Sequence, residues 1–103
     1  MPIFSARLMT QGIYATKYGR IEFRAKMPRG DWIWPALWMY PDNEVYGGWP
    51  RSGEIDIVES RGNRPGQLTL PSGQSIGVDL AGSTMHWGPD YYNNRFMMTH
   101  WER

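Results

Sequence analysis

The heptapeptide GEIDIVE, residues 53–59, places Glu54, Asp56 and Glu59 on a run otherwise made of Ile and Val. β-Branched residues at that density specify an extended strand, and a strand that carries three acids is holding something costly. In a regular strand Glu54 and Asp56 share one face, while Ile55 and Ile57 share the other. Glu59 stands five positions beyond Glu54, so simple alternation sends it to the isoleucine face. A β-bulge at Ile57–Val58 absorbs one residue and returns Glu59 to the side of Asp56. The two glutamates are then about four strand steps apart, roughly 13 Å between Cα atoms at ~3.3 Å per residue. Side chains leaning toward each other bring their carboxyls to about 5–6 Å, the separation of a retaining glycosidase pair, in which one carboxylate attacks and the other is acid, then base. Asp56 lies between them. Its charge, or a shared proton, is expected to keep one glutamate ionised and the other protonated near neutral pH. Two other uses of the same residues stand beside this one: a solvated strand face, and a site for a hard cation.

The elements that must position these acids follow from the patterning around them. GRIEFRAKM (19–27) alternates, with Ile21, Phe23, Ala25 and Met27 on one side and Arg20, Glu22, Arg24 and Lys26 on the other, which predicts a half-buried strand. PRGD (28–31) reads as a turn. WIWPALWMY (32–40) is nearly all apolar and predicts a strand covered on both faces, with Pro35 near its start or beside an irregularity. Residues 41–53 form a loop and 54–60 the acidic strand. Residues 61–77 are Gly/Pro-rich and irregular, GSTMHWG (82–88) is a short strand, and RFMMTHWER (95–103) begins one more. No 3.6-residue period is sustained, so the class is all-β, with strands and turns spaced as in a sandwich.

About five strands do not close a sandwich, because strand edges and one apolar face stay uncovered. The expectation is therefore that the 103 residues are part of a larger domain. The net charge of +1 removes the electrostatic case for a nucleic-acid or membrane-surface partner, and no apolar run is long enough to span a bilayer. MPIFSARLMT has no basic region followed by a long apolar core and is not read as a signal peptide. The absence of cysteine excludes a disulfide framework. Aromatics are out of line at 15%, with six Trp and six Tyr. A core can use some of them, and tryptophan also supplies flat apolar faces on which sugar rings stack.

YGRIEFRAKMPRGDWIWPALWMYP (18–41), then YGGWPRSGEIDIVESRGN (46–63) and GSTMHWGP (82–89), resemble glycoside hydrolase family 16 over roughly residues 5–103. The resemblance is to the laminarinase branch and to the animal β-1,3-glucan-binding proteins descended from it. It implies a β-jelly-roll sandwich of the concanavalin A-like type, present here only in part, with residues 1–103 a partial catalytic domain. It also implies endo-hydrolysis of β-1,3-glucan with retention of configuration. By motif match Glu54 is the nucleophile, Asp56 the helper acid and Glu59 the general acid/base, and the bulge is a feature of the family's longer ExDxxE form. Trp34 and Trp49 match tryptophans that contact sugar rings, with core packing as the alternative for each. Glu22 and Arg24 match cleft-facing positions; a solvated strand face is the alternative. Arg51 could bind a hydroxyl or stand free on its loop. His86 matches a cleft histidine on the sugar-acceptor side, or is structural. Neither a cofactor nor a metal is expected, the partner is a β-glucan polysaccharide, and the family implies an extracellular location. The sequence leaves the oligomeric state open. A non-catalytic β-1,3-glucan recognition protein of innate immunity is the other reading; retention of all three acids favours the hydrolase.

Overall fold

The computed structural model describes residues 4–103. Its regular structure is a single antiparallel sheet with little helix. The strands are β1 (Ala36–Met39), β2 (Glu54–Glu59), β3 (Gly82–His86) and β4 (Trp101–Glu102), in the order β1-β2-β3-β4. Two short 3-10 turns, Tyr91–Asn93 and Phe96–Met98, lie between β3 and β4. The architecture is all-β, consistent with a jelly-roll sheet present in part.

The acidic strand β2 is central and pairs on both sides. Against β1, Trp38 stands opposite Asp56 but Leu37 stands opposite Val58. Against β3, Asp56 is opposite Thr84 and Glu59 is opposite Gly82. Three steps along β2 therefore match two along β3, so β2 carries one extra residue between Asp56 and Glu59. This is the bulge at Ile57–Val58 that the spacing predicts. Residues directly opposite in an antiparallel sheet share a face. One face accordingly carries Trp38, Asp56 and Thr84 in one row, Glu54 and His86 in the next, and Glu59 above Gly82 and Glu102. The other carries Met39, Ile55 and Met85.

The two faces are solvated in the opposite sense from an ordinary core. Among the described residues no apolar side chain is buried except that of Pro50, whereas the polar Asp56, Asn63 and Thr84 are. Ile55 and Met85, on the apolar face, are 41% and 47% exposed. Aliphatic surface of that kind is stabilising only when covered.

Four element predictions need correction. Residues 19–27 form no strand; the segment is irregular and unpaired, and Ile21 and Phe23 are exposed. Period-2 alternation becomes a strand only where a ladder partner and a surface to pack on are present, and β1's outer edge does not take this segment up. The strand expected over 32–40 is confined to 36–39 and is not covered on both faces. Trp32 has a left-handed backbone (φ 67°), and Pro35, lacking an N–H, joins the ladder only through its carbonyl, which accepts from Ser60 N–H. β3 stops at His86 rather than Gly88. The last expected strand becomes a 3-10 turn followed by the two-residue β4.

Candidate active site

The loop between β1 and β2 places the first functional groups. Glu44 accepts from Tyr40 Oη (2.8 Å) and from Trp49 N–H (3.2 Å), tying the start of the loop to its end. Ser52 Oγ accepts from Tyr46 N–H and donates to Gly47 O. The Trp49–Pro50 peptide bond is cis, and Pro50 is buried. Gly53 then enters β2 with φ of 85°, a backbone that only glycine adopts without strain. Trp49 is thereby laid beside β2, and its Nε1–H donates to Glu54 Oε2 at 2.6 Å. Trp34, at the entry to β1, makes the matching bond from the other end: its Nε1–H donates to Glu59 Oε1 at 2.8 Å. Each glutamate is oriented by an indole N–H. Core packing is excluded for Trp34, which is 63% exposed and carries the Arg61 guanidinium over its ring at 4.1 Å.

Asp56 lies between the two glutamates and is only 4% exposed, so the solvated-face use of GEIDIVE does not apply to it. Burial, then the charges of Glu54 and Glu59, and last a hydrogen bond with Glu54 push its carboxyl from 3.8 up to about 7. The bulge supplies the Glu59 share of this: without it Glu59 would project from the opposite face. His86, two rows from the bulge on β3, brings Nε2 to 3.1 Å from Asp56 Oδ2. The contact is short but poorly aligned, and Asp56 Oδ2 is buried with no hydrogen-bond partner. The His86 ring stacks on Phe96 (5.5 Å between centroids) and packs at a tilt against Trp49 (5.4 Å).

The structure does not bring every expected residue here. Glu22 pairs with Arg20 at 3.3 Å, well exposed, and with no strand at 19–27 neither Glu22 nor Arg24 is carried to the cluster. Arg51 turns its Nε–H to the Pro89 carbonyl, which ties the loop to the end of β3 and leaves it no contact with the acids among the described residues. Other residues join without having been expected. Thr84, directly opposite Asp56, bonds His100 Nδ1 at 2.8 Å, and His100 Nε2 meets Glu102 Oε1 at 2.9 Å. Gln74 donates to Glu102 Oε2. His100 and Glu102 join Glu59, Arg61, Leu70 and Ile76 around a cavity of about 150 Å³ beside the bulge. Gly82 makes room for it, since a Cβ there would stand 3.3 Å from His100 Cε1. Thr84 was findable, because it alternates with His86 on one strand. His100 and Asn94, which bonds His86 Nδ1 at 2.8 Å, carried no local signal.

Chemically, the face offers two oriented carboxyls flanking a third that holds its proton near neutrality. Glu54, Asp56 and His86 also each present an atom within 4.8 Å of the others, a donor set of the kind divalent zinc uses, provided the ring offers a lone pair at Nε2.

A family profile described as "XgeA-like, catalytic GH16 domain" matches residues 4–87. The chain is 54% identical over 101 residues to a "Beta-1,3-glucan-binding protein" of Penaeus monodon, covering 98% of this chain and 26% of that protein. It is 52% identical over 83 residues to "Glucan endo-1,3-beta-glucosidase A1" of Niallia circulans, covering 73% of this chain and 12% of that one. It is 55% identical over 64 residues to a "Glucan endo-1,3-beta-glucosidase" of Cryptopygus antarcticus, covering 62% and 23%. The chain thus spans about a quarter or less of the length of these relatives. No solved structure matches.

Proposed function

The chain belongs to glycoside hydrolase family 16, and on that premise we propose that it supplies the catalytic strand of an enzyme that cleaves β-1,3-glucan of the laminarin type by retaining double displacement. Residues 1–103 are read as part of a family 16 catalytic domain. The observation that carries the proposal is the β2 bulge, which sets Glu59 on the face of Glu54 and Asp56. Glu54, held by Trp49, attacks the anomeric carbon. Glu59, held by Trp34, protonates the leaving oxygen and then takes a proton from the water that releases the sugar. Asp56 is the helper acid. With its carboxyl near 7 it can carry a proton beside Glu54 while the nucleophile is charged and yield hydrogen bonding as that charge is used. The exposed face of Trp34 is the sugar platform of this reading, and His86 borders the cleft. An extracellular location goes with it, since a polysaccharide does not cross a membrane.

A glucan-recognition role is the second reading, favoured by the identity to the Penaeus monodon protein. The two separate in one experiment on the full-length protein. Under the hydrolase reading the wild type releases reducing ends from laminarin, Glu54→Gln abolishes release while retaining binding, and azide restores turnover to Glu54→Gly with inverted product. Undiminished hydrolysis by Glu54→Gln removes the nucleophile assignment. Tight laminarin binding by the wild type without any reducing-end release selects the recognition reading.

A further inference from the structure

His86 faces Glu54 and Asp56, and what it can do there depends on which ring nitrogen carries the proton. The Asn94 side chain answers that question through its own hydrogen bonds. Asn94 Oδ1 accepts from two backbone donors, Trp87 N–H at 3.3 Å and Phe96 N–H at 3.2 Å. A carboxamide nitrogen cannot accept from an N–H, so these two bonds fix which end of the amide is oxygen. The segment that supplies them is itself anchored, with Arg95 N–H donating to Trp87 O at 2.8 Å and Asn94 N–H to Tyr91 O at 3.4 Å. The other end, Nδ2, is left against His86 Nδ1 at 2.8 Å. Nδ2 can only donate, so Nδ1 must accept, and the neutral ring carries its proton on Nε2. Phe96 stacks on the ring and Trp49 packs against it at a tilt, and both contacts oppose a flip that would exchange the nitrogens.

We propose that Asn94 is a positioning residue that locks His86 in the Nε2–H tautomer, making the imidazole a neutral hydrogen-bond donor turned toward the buried, unpartnered Asp56 Oδ2. The consequences are chemical. A neutral donor satisfies Asp56 Oδ2 after a small ring rotation without adding a counter-charge that would pull its raised carboxyl back down. A ring protonated on Nε2 has no lone pair there, so Glu54, Asp56 and His86 do not close around a divalent cation despite their spacing. A metal-binding histidine donates its other N–H to an acceptor, and Asn94 offers the opposite polarity. The imidazole face of the cleft is thus kept for hydrogen bonding. The inference rests on the hydrolase reading only in its kinetic part.

The test is the protonation of the two ring nitrogens in the full-length protein, read from nitrogen-15 spectra of labelled histidine, with His86→Gln to assign the signal. The expected result is a protonated Nε2 and a bare Nδ1 on His86 near neutral pH. Asn94→Asp keeps an oxygen for the two backbone N–H groups but turns the group facing the ring into an acceptor. It is expected to fold and to put a proton on Nδ1, as the other neutral tautomer or as the imidazolium. In the kinetic arm it lowers kcat on laminarin by about 2–10-fold, the loss of one neutral hydrogen bond to Asp56, with KM little changed. A protonated Nδ1 in the wild type overturns the proposal. So does an unchanged ring in a folded Asn94→Asp, or saturable Zn²⁺ binding by the wild type that His86→Gln removes. If the protein binds glucan without cutting it, the spectra still decide the tautomer.

Discussion

Replacing Asp56 with Asn isolates the one carboxyl that the site holds far from its ordinary protonation. Asp56 is 4% exposed, and burial together with the charges of Glu54 and Glu59 moves its carboxyl from 3.8 to about 7. Below about pH 4 folded and unfolded chains both hold this proton, and Asp56 adds no pH dependence. Between about pH 4 and 7 the unfolded chain has released it and the folded chain has not, so the folded state binds more protons and stability falls as pH rises. Above about pH 7 the loss is complete. At ~1.4 kcal/mol per pH unit the full displacement corresponds to about 4 kcal/mol. Glu54 and Glu59 are only half-buried, and water screens their charges, which reduces the expected value to on the order of 2 kcal/mol. Asparagine cannot ionise and loses this slope. The assay is guanidinium unfolding of full-length wild type and Asp56→Asn at a series of pH values from 4 to 8, taking the difference at each pH so that titrating groups remote from Asp56 cancel and the slope reports Asp56 with its coupled glutamates. The variant is expected to gain about 2 kcal/mol on the wild type across the series. A difference that stays constant with pH refutes the placement of Asp56 among mutually repelling carboxyls.

Trp49→Phe keeps an aromatic ring against His86 but deletes the 2.6 Å donor to Glu54; a hydrogen bond to a charged group contributes about 1.5–3 kcal/mol, so laminarin kcat/KM is expected to fall by roughly tenfold or more, and an unchanged value would mean that the indole does not orient Glu54. The 103 residues expressed alone leave Ile55 and Met85 open, and are expected to bind a hydrophobic dye and to unfold without a sharp transition; a cooperative transition with no dye binding would show that the sheet needs no cover on that face.

The sequence by itself determined the class and the bulged acidic strand, because both rest on short-range rules. Period 2 and β-branching mark β2, and the odd interval between Asp56 and Glu59 is irreconcilable with one face unless a residue bulges. Trp34 and Trp49 stood out in the sequence only through the family match, and their bonds to Glu59 and Glu54 did not show there. Indole direction depends on how the loop from residue 41 to 53 folds back on β2, and that is set by Glu44, Ser52 and Pro50 acting together. Residues 19–27 show the limit of pattern reading: the alternation is there, but a strand also requires a neighbour, which no local rule supplies. Tertiary structure alone decided the remaining polar partners. His100 reaches Thr84 from sixteen residues away, and Asn94 reaches His86 only because the chain turns back through Pro89 and the Tyr91–Asn93 turn. A histidine's tautomer and a carboxyl's protonation are properties of the groups gathered around them, and those groups meet only when the chain folds.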